Sequence, residues 1–544
     1  MARDTKWKRS IVSGSWVIAV VVVAAISQAG EKPGFPLKQH IDQHTIHQFS
    51  FETIYGWGDK LFHAPFNSLD GIGANLSQDP EGGLIRKRFT RVPRADLPGW
   101  LENPRHPDGP QSQNCAECHN GNPNNTMIED RDPYRVGDIS KWISRKATDL
   151  SGMGALQLLA EQSSREIAAL KNGAIAKAKK TGQPVSVELI TSNKISYGVL
   201  TAKPDGTLDG SKVTGVHTFD IPVIFVNAYT VNPFHLKSIV AFARVFGAAT
   251  DTTLGLQSPE RYPEYEDADH DGVVGELSVG DVTALTLFLA GQQRPVTKLE
   301  LDRYLGGKHR LSDSERASIL RGKAKFSAIG CASCHTPKLH LQNATYYEPS
   351  STPGFQFPVF WINHIDPVTF EIHGTDPKPY GYDPRKPVKF SMTENPVWQK
   401  SCRRLNLRDY SFGADGRQDC FLQFESDGKG GASIELYGDQ RLHNMGPALA
   451  EDVDEFPGIS AAVWRTKELW GVGSVNTWLH DGRATTLTEA ILFHGGEGQA
   501  ARDNFARLPD AQKDDVLEFL RNLVLYKPPG SRDDDDDDDG RHHR

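Results

Sequence analysis

The sequence predicts a mainly α-helical chain with long irregular segments, one small β insertion and two halves of similar organisation. Helical patterns recur from residue 155 to the last helix, whereas β-branched residues alternate with polar ones in only one region. The 50 glycines and 33 prolines indicate long connections. With 544 residues, 38% of them hydrophobic and 24% charged, the chain is long enough for two or three globular domains.

The N-terminal 29 residues have the pattern of an export signal. Lys6, Lys8 and Arg9 precede a long apolar stretch, and "SQA" supplies small residues for cleavage before residue 30. The alternative is an uncleaved membrane anchor, because the apolar stretch is nearly long enough to span a bilayer. Either interpretation places the remaining chain outside the cytoplasm, and we expect the periplasm.

The charge pattern excludes one class of partner. The net charge is -8, and the run Asp533–Asp539 supplies seven negative charges. We interpret residues 529–544 as a disordered acidic tail. The rest of the chain is close to neutral and has no basic face for nucleic acid.

The predicted elements begin after an irregular segment at residues 30–110, which is rich in Pro, Gly and Asn. A strong helical pattern covers 155–180, and short strands are expected between 185 and 225. A helix through Val282, Leu285 and Leu289 should end near Pro295.

A second unit is predicted to start near residue 311, because Ser312 and Glu315 have the spacing of a capping box. Residues 337–440 are turn-rich, and the last helix should be stopped by Pro528. The predicted domains are therefore 30–300 and 301–528.

Four of the six cysteines lie in two copies of the motif Cys-x-x-Cys-His. The first is "NCAECHNG", with Cys115, Cys118 and His119, and the second is "GCASCHTP", with Cys331, Cys334 and His335. This spacing is typical of covalent haem attachment, in which two thiols form thioethers and the histidine binds the iron. We call the predicted groups haem 1 and haem 2, in chain order.

Two other chemistries use paired cysteines. Zinc sites contain Cys-x-x-Cys, but here both copies carry the adjacent histidine, and export favours cytochrome assembly. A thioredoxin-like redox pair needs a βαβ setting, which the sequence lacks. The remaining cysteines, Cys402 and Cys420, are predicted to form a disulfide in an oxidising compartment, with two buried thiols as the alternative.

Several stretches make a family resemblance specific. The segment "WRTKELWGVGSVNTWLHDGRATTLTEAILFHGGEG", from residue 464, resembles the C-terminal part of the bacterial di-haem oxidoreductases, which are related to di-haem cytochrome c peroxidases. Further matches are "FNSLDGIG", "DGVVGELSVGDVTALTLFLA", "RGKAKFSAIGCASCH" and "LHNMGPALAE". The resemblance covers roughly residues 50–526 and implies two cytochrome-c-like haem domains that face each other.

The resemblance also implies axial ligands for haem 2. In the relatives, a His-x-Gly motif precedes the distal ligand of the C-terminal haem by fourteen residues. Here the motif begins at His480, and the fourteenth residue after it is His494. Haem 2 would then be bis-histidine, bound by His335 and His494, with His480 nearby but not bound. The alternative for His494 is a histidine that caps a helix end.

For haem 1, the resemblance between the two halves is weaker. If "FHLKSIVAFARVFGAAT" plays the part of "LTEAILFHGG", Ala243 falls at the place of His494 and leaves haem 1 open. Arg244 would then be the candidate catalytic residue that polarises peroxide, with a surface arginine as the alternative. His217 and His235 remain candidate ligands.

Two further interpretations stay open. Relatives use a tryptophan between the haems as an electron relay, and Trp142 is the candidate here, against simple packing. The loop "DADHDGVVGELS" has the EF-hand spacing at Asp267, Asp269 and Asp271, but Ser278 occupies the position of the bidentate Glu. A calcium site therefore competes with an acidic turn that caps the next helix.

Together these patterns predict an exported di-haem c-type oxidoreductase that is peroxidase-like, with haem 1 as reaction site and haem 2 as electron relay. A small periplasmic cytochrome c or cupredoxin would supply electrons, and peroxide or another small molecule would be the substrate. One alternative is an oxygenase resembling the di-haem rubber oxygenases, which predicts a stable dioxygen complex. The other is a non-enzymatic electron carrier, which predicts two six-coordinate irons.

Overall fold

The chain is seen in a computed structural model. It describes residues 37, 39–67, 69–72, 76–78, 84–86, 112, 114–119, 127–130, 143–220, 227–248, 250, 254–260, 262, 273–355, 381–405, 407, 420–451, 454 and 458–528. The predicted export segment and the acidic tail lie outside these residues, as do Trp142, Asp267, Asp269 and Asp271. Those predictions therefore stay predictions.

The helices vary widely in length. They are α1 Phe51–His63, α2 Ala116–His119, α3 Met153–Thr181, α4 Arg244–Ala248, α5 Val279–Ala290, α6 Lys298–Tyr304, α7 Asp313–Ala328, α8 Pro396–Arg404, α9 Leu487–Leu492, α10 Gln499–Ala506 and α11 Asp510–Asn522.

The strands are short and scattered along the chain. They are β1 Leu76–Gln78, β2 Leu84–Arg86, β3 Met127–Asp130, β4 Ile143–Lys146, β5 Val185–Ile190, β6 Ser196–Ala202, β7 Leu208–Val213, β8 Val296–Thr297, β9 Leu339–Leu341, β10 Thr345–Glu348, β11 Val388–Ser391, β12 Glu425–Ser426, β13 Ala432–Ile434, β14 Leu442–Asn444, β15 Val463–Arg465 and β16 Leu523–Val524.

The predicted fold class, mainly α with two cytochrome-c-like domains and one small β insertion, is wrong. Within the described residues the strands form seven small antiparallel sheets, and only β5-β6-β7 corresponds to the predicted insertion. Most of the other strands have two to four residues, too few to show a period of two. Some pair across long sequence distances, such as β8 with β16, so local patterns cannot reveal them.

The segment 30–110 was predicted to be irregular, and this is wrong for residues 51–63. The Ser50 side chain caps helix α1 by accepting a hydrogen bond from the Thr53 backbone N–H. Ile54, Leu61 and Phe62 lie at helical spacing, are buried and face α5. Packing against α5 thus stabilises helix α1, which the Pro, Gly and Asn content of the surrounding segment did not predict.

The long helical patterns were predicted well. Helix α3 covers the expected 155–180, and the β5-β6-β7 sheet lies against its C-terminal half. Helix α7 starts after Ser312, and the Ser312–Glu315 capping box forms as predicted. Helix α5 is as expected, although it ends at Ala290, with Gly291 as its C-cap, rather than near Pro295.

The last helix ends earlier than predicted. Helix α11 stops at Asn522, and the next two residues form β16, which pairs with β8. The sequence predicts a helix up to Pro528, because apolar residues continue beyond Asn522. They are buried here as a strand instead.

The largest core draws on both predicted domains. It joins residues of α1, α3 and α5 to Tyr346, Phe390 and Leu436 from the C-terminal half. A second core, built from α7, α9, α10 and α11, surrounds Cys331. A third contains the Cys402–Cys420 disulfide, which confirms that predicted pairing.

Among the described residues, no helix is both long and apolar enough to cross a membrane.

Candidate functional site

The second Cys-x-x-Cys-His motif opens into a cavity of about 500 Å³. Cys331, Cys334, His335 and His494 all line it. Its walls are mostly apolar, with contributions from α7, α9 and α11. The structure therefore brings the sequence-predicted ligands of haem 2 together in one concave space, which is the usual form of a cofactor site.

The rings of His335 and His494 lie at a separation that suits one iron. Their ring centres are 6.4 Å apart. A bond from a metal to an imidazole nitrogen is about 2 Å long, and the ring centre lies roughly 1 Å further, so two imidazoles on one iron have centres roughly 6 Å apart. The residues present thus fit a bis-histidine haem.

Each ring is oriented through its second nitrogen. His335 Nδ1 donates to the carbonyl of Tyr437 over 3.1 Å, and His494 Nδ1 donates to the carbonyl of Ala490 over 2.8 Å. These bonds leave the Nε2 atoms for a metal. Burial and the neighbouring His494 lower the pKa of His335 to about 4, and burial lowers the pKa of His494. Both rings are therefore neutral at pH 7, the form that binds metal.

The packing of two helices places the motif. Helices α7 and α11 pack along each other, and Phe326 of α7 lies against Phe519 of α11. The chain leaves α7 through Gly330, whose φ of 98° suits glycine, and enters a single 3-10 turn at Cys331–Ser333. That turn presents both thiols of the motif to the cavity.

In the first motif, Cys118 and His119 lie on the short helix α2, and Cys115 immediately precedes it. Cys115 and Ala116 pack against the largest core, and the backbone N–H of Cys115 donates to the carbonyl of Phe62 in α1. His119 Nδ1 donates to the carbonyl of Thr148 over 2.8 Å. Burial lowers the pKa of His119, so this ring is also neutral at pH 7. Two thiols on one turn with a neutral, oriented histidine suit haem attachment.

The backbone acceptor of His119 connects the two sites. Thr148 and its neighbours Lys146, Ala147 and Asp149 form part of the wall of the cavity that holds His335 and His494. The His119 ring is therefore one hydrogen bond away from that wall. The two motifs, which are more than 200 residues apart in sequence, share one neighbourhood in the fold.

Most residues of the cavity wall come from one segment of the chain, between residues 443 and 525. Residues 410–523 match the family model described as Di-haem oxidoreductase, putative peroxidase. The predicted recognition is thereby confirmed for this segment, and the name implies haem cofactors and oxidoreductase activity. Searches among curated proteins and among solved structures found no match.

The segment that matches this family model contains a buried histidine that sequence reasoning missed. His443 lies on β14 and is 4% exposed. Its Nε2 is 2.9 Å from Asp439 Oδ2, and its Nδ1 is 2.8 Å from Glu497 Oε2. Burial alone would lower the pKa of His443, but hydrogen bonds to Asp439, Cys334 and Glu497 raise it to about 10. The only sequence signal was that "LHNMGPALAE", where His443 lies, is one of the family-like stretches.

His480 also lines the cavity. Its ring stacks on Trp464 at a centre-to-centre distance of 4.1 Å. Burial lowers the pKa of His480 to about 4. The Lys237 ammonium lies 3.3 Å from the centre of the Trp464 ring, within a buried cluster that also contains Glu451. Trp464 and Trp470 both line the cavity, whereas the sequence predicted only Trp142 as a relay.

The predicted residues of the haem 1 distal side are engaged elsewhere. Ala243 is buried, and its backbone N–H donates to Gln157 Oε1. His217 Nε2 donates to the carbonyl of Lys237, and His235 Nε2 lies 3.1 Å from Arg145 Nη1. None of these contacts tests the predicted roles, which stay predictions.

Arg244 is fully buried, so the alternative of a surface arginine is wrong. Its guanidinium pairs with Glu260 and Glu348 and also donates to Thr283 Oγ1 and the carbonyl of Val279. Every nitrogen of the guanidinium thus has a protein acceptor. The catalytic role predicted for Arg244 stays a prediction.

The described end of the calcium-like loop serves the helix that follows it. Ser278 caps α5, and Asp281 completes the capping box. The carboxylate of Glu276 accepts from the backbone N–H and the side-chain amide of Gln257. The two acidic side chains closest to Ser278 in sequence, Glu276 and Asp281, therefore both bind within the protein.

Proposed function

We propose that this chain is an exported di-haem c-type oxidoreductase that reduces peroxide. Cys331 and Cys334 would hold haem 2, and His335 and His494 would be its axial ligands. Cys115, Cys118 and His119 would hold haem 1, whose open side would be the reaction site. Haem 2 would serve as the electron relay.

One observation carries the proposal: the 6.4 Å separation of the His335 and His494 ring centres in the cavity that Cys331 and Cys334 also line. Both imidazoles are neutral and line one largely apolar cavity. This arrangement suits the binding of a metal-containing group, whereas hydrogen bonding within the protein does not require it. The match of residues 410–523 to the di-haem oxidoreductase model supports the same interpretation.

Haem, when bound, supplies an iron that accepts and releases single electrons. The two-electron reduction of hydrogen peroxide consumes two protons and yields two water molecules, so a one-electron donor must deliver twice. The hydrogen bonds from His335 to Tyr437 and from His119 to Thr148 would keep both proximal imidazoles oriented. Because Thr148 borders the haem 2 cavity, the two redox centres would lie close enough for internal electron transfer.

The proposal includes a periplasmic location and a small cytochrome c or cupredoxin as donor. The Cys402–Cys420 disulfide supports an oxidising compartment. Covalent haem attachment belongs to the same setting, and the N-terminal sequence pattern is the basis for export.

Low-temperature EPR of the purified oxidised protein, before and after one equivalent of hydrogen peroxide, tests the proposal. We expect one high-spin signal from haem 1 and one low-spin signal from haem 2, and we expect peroxide to remove the high-spin signal. Two low-spin signals that peroxide leaves unchanged would contradict haem 1 as the reaction site. A stable dioxygen complex in the reduced protein would instead favour the oxygenase.

Substitution of His494 tests its proposed role as a ligand of haem 2. His494→Ala should convert the low-spin signal of haem 2 to high-spin while both thioether-bound haems remain attached. His480→Ala is the matched control, because His480 lines the same cavity but stacks on Trp464. Loss of the low-spin signal in the His480 variant, with its retention in the His494 variant, would overturn the assignment.

A further inference from the structure

An ion cluster formed by Asp439, His443 and Glu497 lies at the haem 2 cavity, which His443 and Glu497 line. Both ring nitrogens of His443 face carboxylates, so the ring is a protonated imidazolium that donates at both ends. Such charge-assisted bonds are stronger than neutral hydrogen bonds. The His443 ring therefore links two carboxylates that belong to different segments of the chain.

The Glu497 end reaches the segment that carries the distal histidine. Glu497 follows His494 by three residues, and its other carboxylate oxygen accepts from the Asn444 backbone N–H over 2.8 Å. The backbones approach closely here, since a Cβ on Gly496 would lie 2.1 Å from the Asn444 carbonyl oxygen. Residues 494–498 are thus held against β14 by a hydrogen bond and a close backbone contact, next to His494.

The Asp439 end reaches the segment that orients the proximal histidine. Asp439 follows Tyr437 by two residues, and the Tyr437 carbonyl accepts from His335 Nδ1. In the same stretch, the Gly438 backbone N–H donates to the carbonyl of Thr336, immediately after His335. The carboxylate of Asp439 is 1% exposed, so its bond to His443 is shielded from water.

We propose that His443 is a positioning residue that sets the separation of the two axial ligands of haem 2. One rigid imidazolium joins the loop behind His335 to the loop behind His494, and it would hold the 6.4 Å gap against relaxation of either loop. This inference rests on the proposed bis-histidine haem 2. Partners outside the ligand shell commonly act in this way, and losing one lowers metal affinity roughly 10-fold to 100-fold.

Cyanide competition tests the inference. Glu497→Ala and His443→Gln each remove one link of the cluster, and cyanide replaces a loosened distal ligand more readily. We expect the cyanide concentration that half-removes the bis-histidine EPR signal of haem 2 to fall by about 10-fold or more in both variants. His340→Gln is the matched control, because the exposed His340–Asp427 pair has the same 2.9 Å separation as the His443–Asp439 pair.

The outcomes separate this inference from the proposed function. A cyanide response like that of the unsubstituted protein in Glu497→Ala would overturn the inference, and this variant tests it even if His443→Gln fails to fold. Glu497 suits this purpose because its side chain is 51% exposed. Absence of a bis-histidine signal from the unsubstituted protein would overturn the proposed function, and the inference with it.

Discussion

Arg244 carries its charge entirely inside the protein, with two glutamates around one guanidinium. Desolvation opposes this arrangement and raises the pKa of both Glu260 and Glu348, while the arginine counteracts that rise. Such a cluster is stable only when it is complete, because a buried charge without its partner has neither water nor an opposite charge nearby.

Removing the guanidinium should therefore be costly. We expect Arg244→Met to lower the free energy of unfolding by about 3–5 kcal/mol in urea denaturation. Arg521→Met is the control: Arg521 pairs with Glu518 on the surface, and its loss should change the free energy of unfolding by at most about 1 kcal/mol. Similar losses in the two variants would contradict the buried-cluster account.

At the level of single residues, the sequence revealed what lies close together along the chain. Cys331, Cys334 and His335 were predictable because their chemistry depends on local spacing. The bond between His443 and Glu497 was not, since Glu497 lies 54 residues further along the chain and only the fold brings it to the ring. His494 was predicted only through its distance from His480 in a family pattern.

Among the elements, the α7–α11 pair has the closest bearing on the site. Gly322 of α7 lies directly on α11, and a Cβ there would be 1.8 Å from the Asp515 carbonyl oxygen. The pair continues into Phe326 and Phe519 and then into the Cys331 turn. Its spacing therefore positions the haem 2 motif.

Adding one methyl group at Gly322 should push α7 and α11 apart. We expect Gly322→Ala to lower the free energy of unfolding by about 1–3 kcal/mol through overpacking. Gly173→Ala in α3 is the control, because a Cβ there meets nothing within 4 Å, and it should be stabilising by roughly 0.5–1 kcal/mol. Thermal or urea unfolding measures both, and a neutral Gly322→Ala would show that the helices can shift freely.

The elements also show where periodicity fails as a guide. Helices α3, α5 and α7 are long enough to display a period, and they were predicted near their observed bounds. Strands such as β8 and β16 have two residues each and become strands only by pairing with each other. Because that pairing depends on the tertiary fold, the sequence alone led to a mainly α-helical prediction.

At the scale of the whole molecule, the largest core crosses the boundary predicted near residue 300. Tyr346 donates its hydroxyl to Gln157 of α3, and Phe390 stacks on Phe51 of α1. Through these contacts the C-terminal half shares the largest core with helices of the N-terminal half.

A fragment of residues 301–528 should consequently fail to fold as a stable unit. Without α1, α3 and α5, its share of the largest core would be exposed to water. We expect the fragment to bind the dye ANS and to lack a cooperative urea transition, unlike the full chain. A cooperative transition without ANS binding would show that the predicted domain is independent after all.

The close contact at Gly496 has a consequence for how this protein can change over evolution. The residue has a φ of 48°, and its Cα faces the Asn444 carbonyl with no room for a side chain. Natural selection at this position would act on backbone spacing alone, so no substitution of similar chemistry could replace the glycine. A change in the backbone of the loop that carries His494 would therefore require a matching change in the strand that carries His443. We expect the two segments to change together during evolution or not at all.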